Sequence, residues 1–432
     1  MCYIAQPDHA ARGAVGMFQM NTWSDAWLVL IIIFGGGLVV GKLSEKPRIP
    51  DVVAYLMFGI LIGPQLLNWV GEPSQSQVNQ FVLNLGATLI LFDGGRGVEL
   101  SVLRRVWVTV VLLATLGVFM SAAIVGAAAH FVLGGKWIIA LMIGAVIAST
   151  DPATLIPVFK RVFVIPRLRQ TVESESAFND ATAAALVFTL LSTLSMGTHG
   201  HIPFELAAWD FLKTAGIGLI IGMVVGTASL WLLSEKAWGV FHEYASVVML
   251  LAAIASYEVA TVLGASGFMA TFVAGVITGN ARTFGWALEK QTETNVRHFG
   301  NVFTLILRMA IFVLLGTQVN FHLVFKYWWA GLVIVGVLML IARPLVVLAC
   351  TVFDKRAAWQ RNEILFMFWV RETGVIPAAL AGMLVARHFP HAAMISAITF
   401  VAILLTILIQ ASTTDYVATR LGVEVDAEAE DV

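Results

Sequence analysis

Long apolar segments recur along the whole chain and leave it few ways to fold. Their approximate positions are 26–41, 51–67, 79–95, 106–133, 137–159, 171–196, 208–233, 244–263, 265–280, 299–319, 327–350, 362–386 and 391–414. A straight helix needs about 20 apolar residues to cross a bilayer, and several of these segments are shorter, as is common for broken or buried helices. Only 12% of the residues are charged, about half the share found in a soluble domain. The sequence therefore predicts an all-α, polytopic membrane protein with about thirteen transmembrane helices.

The basic residues of the loops predict how these helices are oriented. If the number of spans is odd, eighteen Lys and Arg residues lie on one side of the membrane and five on the other. Cytoplasmic loops carry the excess of positive charge. We therefore expect a protein of the cell (inner) membrane with an extracytoplasmic tail over residues 1–25 and a short acidic cytoplasmic tail over residues 415–432.

Polar residues interrupt two of the apolar segments at corresponding positions. The fifth contains Thr150-Asp151-Pro152, and proline both removes a backbone donor and disfavours helix at the preceding residue. The twelfth contains Arg371-Glu372-Thr373-Gly374. With the seventh segment as a linker, the interrupted segments are the fifth members of two six-helix halves of opposite topology. Paired interruptions of this kind indicate the substrate site of a transporter.

The sixth segment carries the polar residues that we assign to this site. Glu175, Ser176, Asn179 and Asp180 fall on one helical sector of roughly 140°. Intramembrane acids are costly and mark functional sites, and hard oxygen ligands suit a small cation. Asp180 is the predicted carrier, because its carboxylate can take either a cation or a proton. The alternative, an acid that stabilises the helix N-terminus, is less favoured because Asp180 lies several residues inside the segment.

Glu175 needs a basic partner at this depth in the membrane. The candidates in the apolar segments are Arg308, Arg343 and Arg371. We predict a structural pair with Arg343, whose loss costs about 3–5 kcal/mol for a buried ion pair. In the alternative, Glu175 is itself the carrier.

Arg371 and Glu372 are expected to neutralise the half-helix ends at the second break. Asp93 and Arg96 are expected to form an ordinary i,i+3 salt bridge. Arg308 and Glu258 have no predicted partner.

Thr150 and Asp151 also permit a simpler interpretation, because Asp-Pro is a common turn initiator. The apolar flanks on both sides favour a break inside the membrane, where carbonyls freed around Thr150 can face a cation. Ser176 and Asn179 could equally make hydrogen bonds between helices.

Other functional classes find little support in the chain. Ser266, in Gly264-Ala265-Ser266-Gly267, has the setting of an intramembrane serine protease nucleophile, with His298 as the candidate base. A tight helix contact of small residues is the favoured interpretation. The chain has no His-Glu-x-x-His zinc motif and no phosphate loop. We expect no cofactor, no nucleic-acid partner and no channel, since a lone carboxylate forms no ring around a pore.

These motifs together resemble the NhaP/NHE branch of the monovalent cation/proton antiporters. The resemblance rests mainly on Thr150-Asp151-Pro152-Ala153 and on Glu175-Ser176-x-x-Asn179-Asp180. Leu91-Phe92-Asp93-Gly94-Gly95, the small residues from Gly264 to Asn280 and Ala342-Arg343 are similar to further family motifs. The chain departs from the family at Glu372, where relatives usually have glycine after the arginine.

The resemblance implies a homodimer in which a core bundle moves like an elevator against a dimer bundle. The core bundle comprises residues 106–196 and 327–414, the dimer bundle residues 26–95 and 244–319, and the linker helix residues 208–233. The cation would lie at Asp180, Ser176 and Thr150, and Asn179-Asp180 in place of paired aspartates implies electroneutral exchange. The sequence thus predicts exchange of Na⁺ for H⁺, with Li⁺ a further substrate and K⁺ the alternative.

Overall fold

The protein is built from helices throughout its described part. A computed structural model describes residues 23–45, 50–71, 76–150, 159, 164–195, 204–234, 239–286 and 288–425. Within them, β-structure is limited to isolated bridge residues, among which Val164 pairs antiparallel with Glu424. The prediction of an all-α chain is confirmed.

Each predicted apolar segment of the first half, and the linker after it, forms one helix or one interrupted helix. These are α1 (Trp23–Ile31, a π-helical turn Ile32–Gly36, and Gly37–Ser44), α2 (Asp51–Ile62), α3 (Gln77–Arg96), α4 (Leu100–Ala114 and Leu116–Leu133), α5 (Trp137–Ile147), α6 (Pro166–Ser195) and α7 (Phe204–Leu233).

The second half repeats this pattern of long and interrupted helices. It contains α8 (Ala245–Val262), α9 (Gly267–Gly279), α10 (Lys290–Thr317), α11 (Phe321–Val337, a π-helical turn Leu338–Ala342, and Arg343–Val352), α12 (two halves, Arg361–Trp369 and Val375–Ala386) and α13 (Ala392–Thr406, a π-helical turn Ile407–Ala411, and Ser412–Leu421). Among the described residues, eight helices are long and apolar enough to cross a membrane, and α2, α5, α9 and the second half of α12 are shorter apolar helices.

Both helices that were predicted to be interrupted end where their polar residues begin. Helix α5 stops at Ile147, so Ser149 and Thr150 lie beyond its last turn. Helix α12 is non-helical over residues 370–374, between its two halves. Asp151 and Pro152 lie outside the described residues. These two chain interruptions provide backbone groups that the helices themselves leave unbonded.

Glycines let α3 and α9 approach until their backbones touch. A Cβ atom placed on Gly275 of α9 would lie 2.2 Å from the Phe92 carbonyl oxygen of α3, and one on Gly95 would lie 2.3 Å from the Phe272 carbonyl oxygen. Small residues at such crossings permit close packing of membrane helices. The Phe272 ring then meets Phe178 of α6 edge to face, with centroids 4.5 Å apart. The α3–α9 crossing thereby supports the helix that carries the predicted site.

A set of polar contacts, which we call the end clamp, connects the start of α6 with neighbouring helices. It consists of Thr109, Arg167, Asp354, Trp359 and Glu363. Arg167 binds the buried Glu363 carboxylate through two nitrogens, at 2.9 and 2.6 Å. Asp354 accepts hydrogen bonds from the backbone and the hydroxyl of Thr109, at 3.0 and 2.7 Å, and the Trp359 indole donates to the same hydroxyl. The clamp thus joins α4, α6, the α11–α12 loop and the first turn of α12.

Candidate ion-binding site

The end of α5 contacts the middle of α6 through buried polar side chains. The Ser149 hydroxyl donates to Oδ1 of Asp180 at 2.6 Å. Asp180 is 1% exposed, and Ser149 is fully buried. A carboxylate at this depth is stable only if its charge is met by hydrogen bonds or by a counter-charge. Ser149 supplies one such hydrogen bond from the chain interruption itself.

Thr150 and Asn179 close the interruption from the α6 side. The Thr150 backbone N–H donates to Oδ1 of Asn179 at 3.1 Å, and Nδ2 of Asn179 donates to the Thr150 hydroxyl oxygen at 2.7 Å. The Thr150 hydroxyl in turn donates to the hydroxyl oxygen of Ser176 at 2.8 Å. All three side chains are at most 3% exposed. Asn179 therefore replaces a backbone partner that the end of α5 lacks.

The structure brings four of the predicted ion-binding residues into one cluster. Ser176, Asn179 and Asp180 lie on the face of α6 that meets Thr150, as the helical spacing predicted. Asp151 lies outside the described residues. Whether these residues bind an ion stays a prediction.

Glu175 and Arg343 form the predicted ion pair. Both guanidinium Nη atoms of Arg343 contact the Glu175 carboxylate, Nη2 at 2.9 Å from Oε2 and Nη1 beside Oε1. Both side chains are about 2% exposed. Arg343 also donates to the Met367 and Val370 carbonyl oxygens, at 2.8 and 3.2 Å. The predicted pair is confirmed, and it also neutralises the C-terminal end of the first half of α12.

The predicted position of Arg371 at the second break is wrong in one respect. Its guanidinium reaches across to the other break, where Nη2 donates to the Ala148 carbonyl oxygen at 2.6 Å. Because a cation is stabilised at a helix C-terminus, Arg371 neutralises the end of α5 rather than its own helix. The carbonyls at the second break are instead met by Arg343 and by Gln410, whose amide donates to the Trp369 oxygen at 2.6 Å.

Sequence reasoning missed three polar contributions to the two breaks. Ser149 had a signal, because it directly precedes Thr150 in the predicted break. Thr406 and Gln410 of α13 had none, because single polar residues in an apolar helix are common. Thr406 accepts the Thr373 backbone N–H at 3.1 Å, in the same way that Asn179 accepts the Thr150 backbone N–H.

Two further pairs of charged residues lie in the predicted membrane segments. Asp93 and Arg96 form the predicted salt bridge at 3.2 Å. Arg308, which had no predicted partner, pairs with Asp51 of α2 at 3.0 Å. The Arg308–Asp51 pair joins α10 to α2. The Asp93–Arg96 pair lies within α3, where Asp93 also accepts a hydrogen bond from Thr304 of α10 at 3.3 Å.

Ser266 is placed as a helix cap. Its hydroxyl oxygen accepts the Met269 backbone N–H at 3.3 Å, and its own backbone N–H donates to the Thr214 carbonyl oxygen. The side chain is 1% exposed, and the candidate base His298 lies on the exposed surface of α10. The packing therefore matches the small-residue helix contact that was favoured from the sequence.

A helical membrane protein in which α12 is interrupted, α5 ends inside its apolar segment and a buried carboxylate contacts the end of α5 has the architecture of a secondary transporter. The sequence family described as sodium/hydrogen exchanger, transmembrane, matches residues 29–420. The chain belongs to this family, and it is a transporter rather than an enzyme.

Individual relatives match this chain over most of its length. The Probable Na(+)/H(+) antiporter 2 of Methanocaldococcus jannaschii is 30% identical over 84% of this chain and 85% of its own. The K(+)/H(+) antiporter NhaP of Alkalimonas amylolytica is 28% identical over 93% of this chain and 68% of its own. The sodium proton antiporter MjNhaP1 from Methanocaldococcus jannaschii at pH 8 matches in structure, with a TM-score of 0.81 at 27% identity over 92% and 98% of the two chains.

Proposed function

We propose that this protein exchanges a monovalent cation for a proton across the cell (inner) membrane, with Na⁺ as the preferred cation and Li⁺ as a further substrate. The observation that carries the proposal is Asp180, a buried carboxylate held by a hydroxyl at the end of an interrupted helix. Sodium and lithium antiport both require oxygen ligands and a group that accepts a proton in place of the cation.

Cation and proton compete for the Asp180 carboxylate. The oxygen atoms of Thr150 and Ser176 are linked to each other at 2.8 Å, and they provide neutral ligands beside the acid. A loaded carboxylate is neutral and can pass the apolar barrier, whereas an empty one is held back by its desolvation cost. Loading therefore controls movement, and the larger of the two gradients drives the exchange without nucleotide.

Asn179 has a neutral amide at the position where a second acid would carry charge. This amide forms hydrogen bonds with Thr150. Glu175 is occupied by Arg343. With one exchangeable carboxylate in the described cluster, the proposed exchange moves one cation per proton and no net charge. Glu175 serves as a structural partner in this scheme.

Movement is assigned to a core bundle sliding against a dimer bundle. The core comprises residues 106–196 and 327–414, the dimer bundle residues 26–95 and 244–319, and α7 links them. Helices α4, α5, α6, α11 and α13 pack on one another, as do α2, α3, α8, α9 and α10. A homodimer with an extracytoplasmic N-terminus and a cytoplasmic C-terminus completes the proposal.

Potassium/proton exchange is the second candidate. It is favoured by the similarity to a relative named as a K(+)/H(+) antiporter. Hydroxyl and carboxylate oxygens accept either ion.

The test is cation-induced dissipation of a preset pH gradient in everted membrane vesicles, followed with an acid-trapped dye. Wild type is compared with Asp180→Asn and with Asp415→Asn, a matched substitution of an exposed acid on α13. We expect Na⁺ and Li⁺ to restore the dye signal in wild type and Asp415→Asn, and no cation to restore it in Asp180→Asn.

Recovery with K⁺ at lower concentration than with Na⁺ would favour the second candidate. Absence of recovery with any of the three cations between pH 6 and 9 would contradict both. Full activity of Asp180→Asn would show that another group carries the ion.

A further inference from the structure

Buried charge is concentrated where the two interrupted helices meet. Seven charged side chains are buried in the described part of the chain, and two of them, Asp354 and Glu363, belong to the end clamp. The other five lie on α6, α11 and α12, at or beside the two breaks. They are Glu175, Asp180, Arg343, Arg371 and Glu372.

Four of these five have a place in the proposed exchange, and Glu372 has none. Its side chain is fully buried. It follows Arg371, which binds the carbonyl of Ala148. Ala148 precedes Ser149, whose hydroxyl binds Asp180. Since consecutive Cα atoms are about 3.8 Å apart, Glu372 lies one residue from the contact that joins the second break to the ion site.

The two breaks are also built alike. In the first, the Thr150 backbone N–H is accepted by the Asn179 side chain of the next helix. In the second, the Thr373 backbone N–H is accepted by the Thr406 side chain of the next helix. At the first break, the acid Asp180 lies on the neighbouring helix α6. At the second break, the acid Glu372 lies in the non-helical segment itself. Glu372 is therefore a buried carboxylate in the counterpart of the ion site.

Formal charge distinguishes the possible roles of this carboxylate. If all five groups are ionised, three carboxylates face two guanidinium groups, and one cation or one proton on Asp180 brings the sum to zero. Without the Glu372 charge, the loaded site would carry one net positive charge. An uncompensated charge in the interior is strongly unfavourable. Asp151 lies outside the described residues and is not in this sum.

We propose that Glu372 remains ionised through the transport cycle and balances Arg371, so that the loaded site crosses the membrane without net charge. Its negative charge also strengthens cation binding at Asp180. Glu372 is thus a positioning residue that acts through Arg371 and the end of α5. This inference rests on the proposed antiport and adds the residue that tunes its cation affinity.

The test uses purified protein in proteoliposomes, with Na⁺ as the transported ion and the membrane potential set by a thiocyanate gradient. The variants are Glu372→Gln, Glu372→Asp and the matched control Glu258→Gln, which removes an exposed acid on α8. We expect Glu372→Gln to raise the apparent KM for Na⁺ several-fold and to make the exchange rate depend on membrane potential. Glu372→Asp and Glu258→Gln should remain close to wild type in both respects.

A double variant separates charge balance from helix stability. Arg371→Gln with Glu372→Gln removes one charge of each sign, so its exchange should again be independent of potential, even at a lower rate. This recovery cannot follow from a purely structural role, because the double variant loses more contacts than either single variant.

Three outcomes would overturn the inference. Glu372→Gln could lose thermal stability while keeping the wild-type KM and potential independence, which would limit Glu372 to supporting the helix end. The wild-type rate could itself depend on potential, which would contradict the charge sum. The double variant could remain dependent on potential. Wild-type protein that exchanges no cation would instead contradict the proposed function, and this result is visible before any variant is compared.

Discussion

Asp180 depends on neighbours that come from a chain interruption rather than from a regular helix. Ser149 reaches it because α5 has ended at Ile147, and Asn179 is occupied because the Thr150 backbone N–H has no helical acceptor. A regular α5 would satisfy its own backbone and turn these groups to other partners. The side chains of the site therefore make these contacts only because α5 ends before Ser149.

We expect Asp180→Asn to abolish exchange while leaving the fold intact. The amide keeps the size of the side chain and can still accept the Ser149 hydroxyl hydrogen, but it cannot take up and release a proton. Dye recovery in vesicles measures the exchange, and size-exclusion chromatography with a melting curve measures the fold. A variant that is inactive because it has lost its melting transition would leave the carrier role to be tested with Asp180→Glu, which should retain partial activity.

The Glu175–Arg343 pair should show strong coupling in a double-mutant cycle. Removing one member of a buried ion pair typically costs about 3–5 kcal/mol, because the other charge is left without compensation. We therefore expect Glu175→Ala and Arg343→Ala each to lower the melting temperature. The double variant should lose much less than the sum of the two losses.

The control for this cycle is the exposed pair Lys42–Glu45, whose side chains are 78% and 55% exposed. Exposed pairs contribute about 0–1 kcal/mol, so the same substitutions there should have little effect. Strict additivity at Glu175 and Arg343 would contradict the coupling that their contacts indicate.

The sequence allowed the members of this pair to be predicted, but not their further contacts. Spacing along α6 placed Glu175 and Asp180 on one face, and Arg343 stood out as a charge inside an apolar segment. The carbonyl acceptors Met367 and Val370 could not be predicted, because any backbone oxygen is a potential acceptor. The fold alone decides which of them faces the guanidinium group.

At the scale of helices, the α3–α9 crossing leaves little room for change. Gly275→Ala would place a methyl group 2.2 Å from a backbone oxygen. Because a backbone cannot move aside as a side chain can, we expect a loss of roughly 1–3 kcal/mol in stability, as for overpacked cores. The melting temperature in detergent measures this loss.

Gly336→Ala is the matched control, because a Cβ atom at Gly336 of α11 meets nothing within 4 Å. Alanine is the better helix former by about 1 kcal/mol, so this variant should be as stable as wild type or more stable. Equal effects at Gly275 and Gly336 would mean that the α3–α9 crossing is looser than its geometry indicates.

Helices were predictable from the sequence where apolar segments were long and bounded by polar loops. The end of α5 and the interruption of α12 were predictable as well, because prolines and charges occur where an intact membrane helix has none. The direction of Arg371 was not predictable. Its side chain is long enough to reach either break, and the packing of α12 beside the end of α5 determines the choice.

At the scale of the molecule, the predicted orientation in the membrane is based on the positive charge of the loops. We expect a cysteine at Lys136, in the exposed loop between α4 and α5, to react with an impermeant maleimide from outside the cell. A cysteine at Arg420, exposed near the end of α13, should react only after the membrane is opened. The measurement is made in a Cys2→Ser background, since the other native cysteine, Cys350, is fully buried. The reverse labelling pattern would invert the predicted orientation.

The number and order of the helices could be predicted from the sequence because each helix corresponds to an apolar segment that is visible in the sequence. The end clamp did not, because Thr109, Arg167 and Glu363 are separated by long stretches of chain. Arg167 also resembled an ordinary loop cation from its position before α6. Contacts between distant residues of common types leave no local pattern in a single sequence.

The two arginines at the breaks have a consequence for how the protein is made. Arg343 follows its partner Glu175 by 168 residues, and Arg371 follows Ala148 by 223. At about 5–20 residues per second, a ribosome needs roughly 8–45 s to supply these partners. During that interval, Glu175 of α6 lacks Arg343, and the C-terminal end of α5 lacks Arg371, because neither arginine has yet been synthesised. Water, lipid headgroups or the insertion machinery must therefore shelter the first half of the protein until the second half is complete.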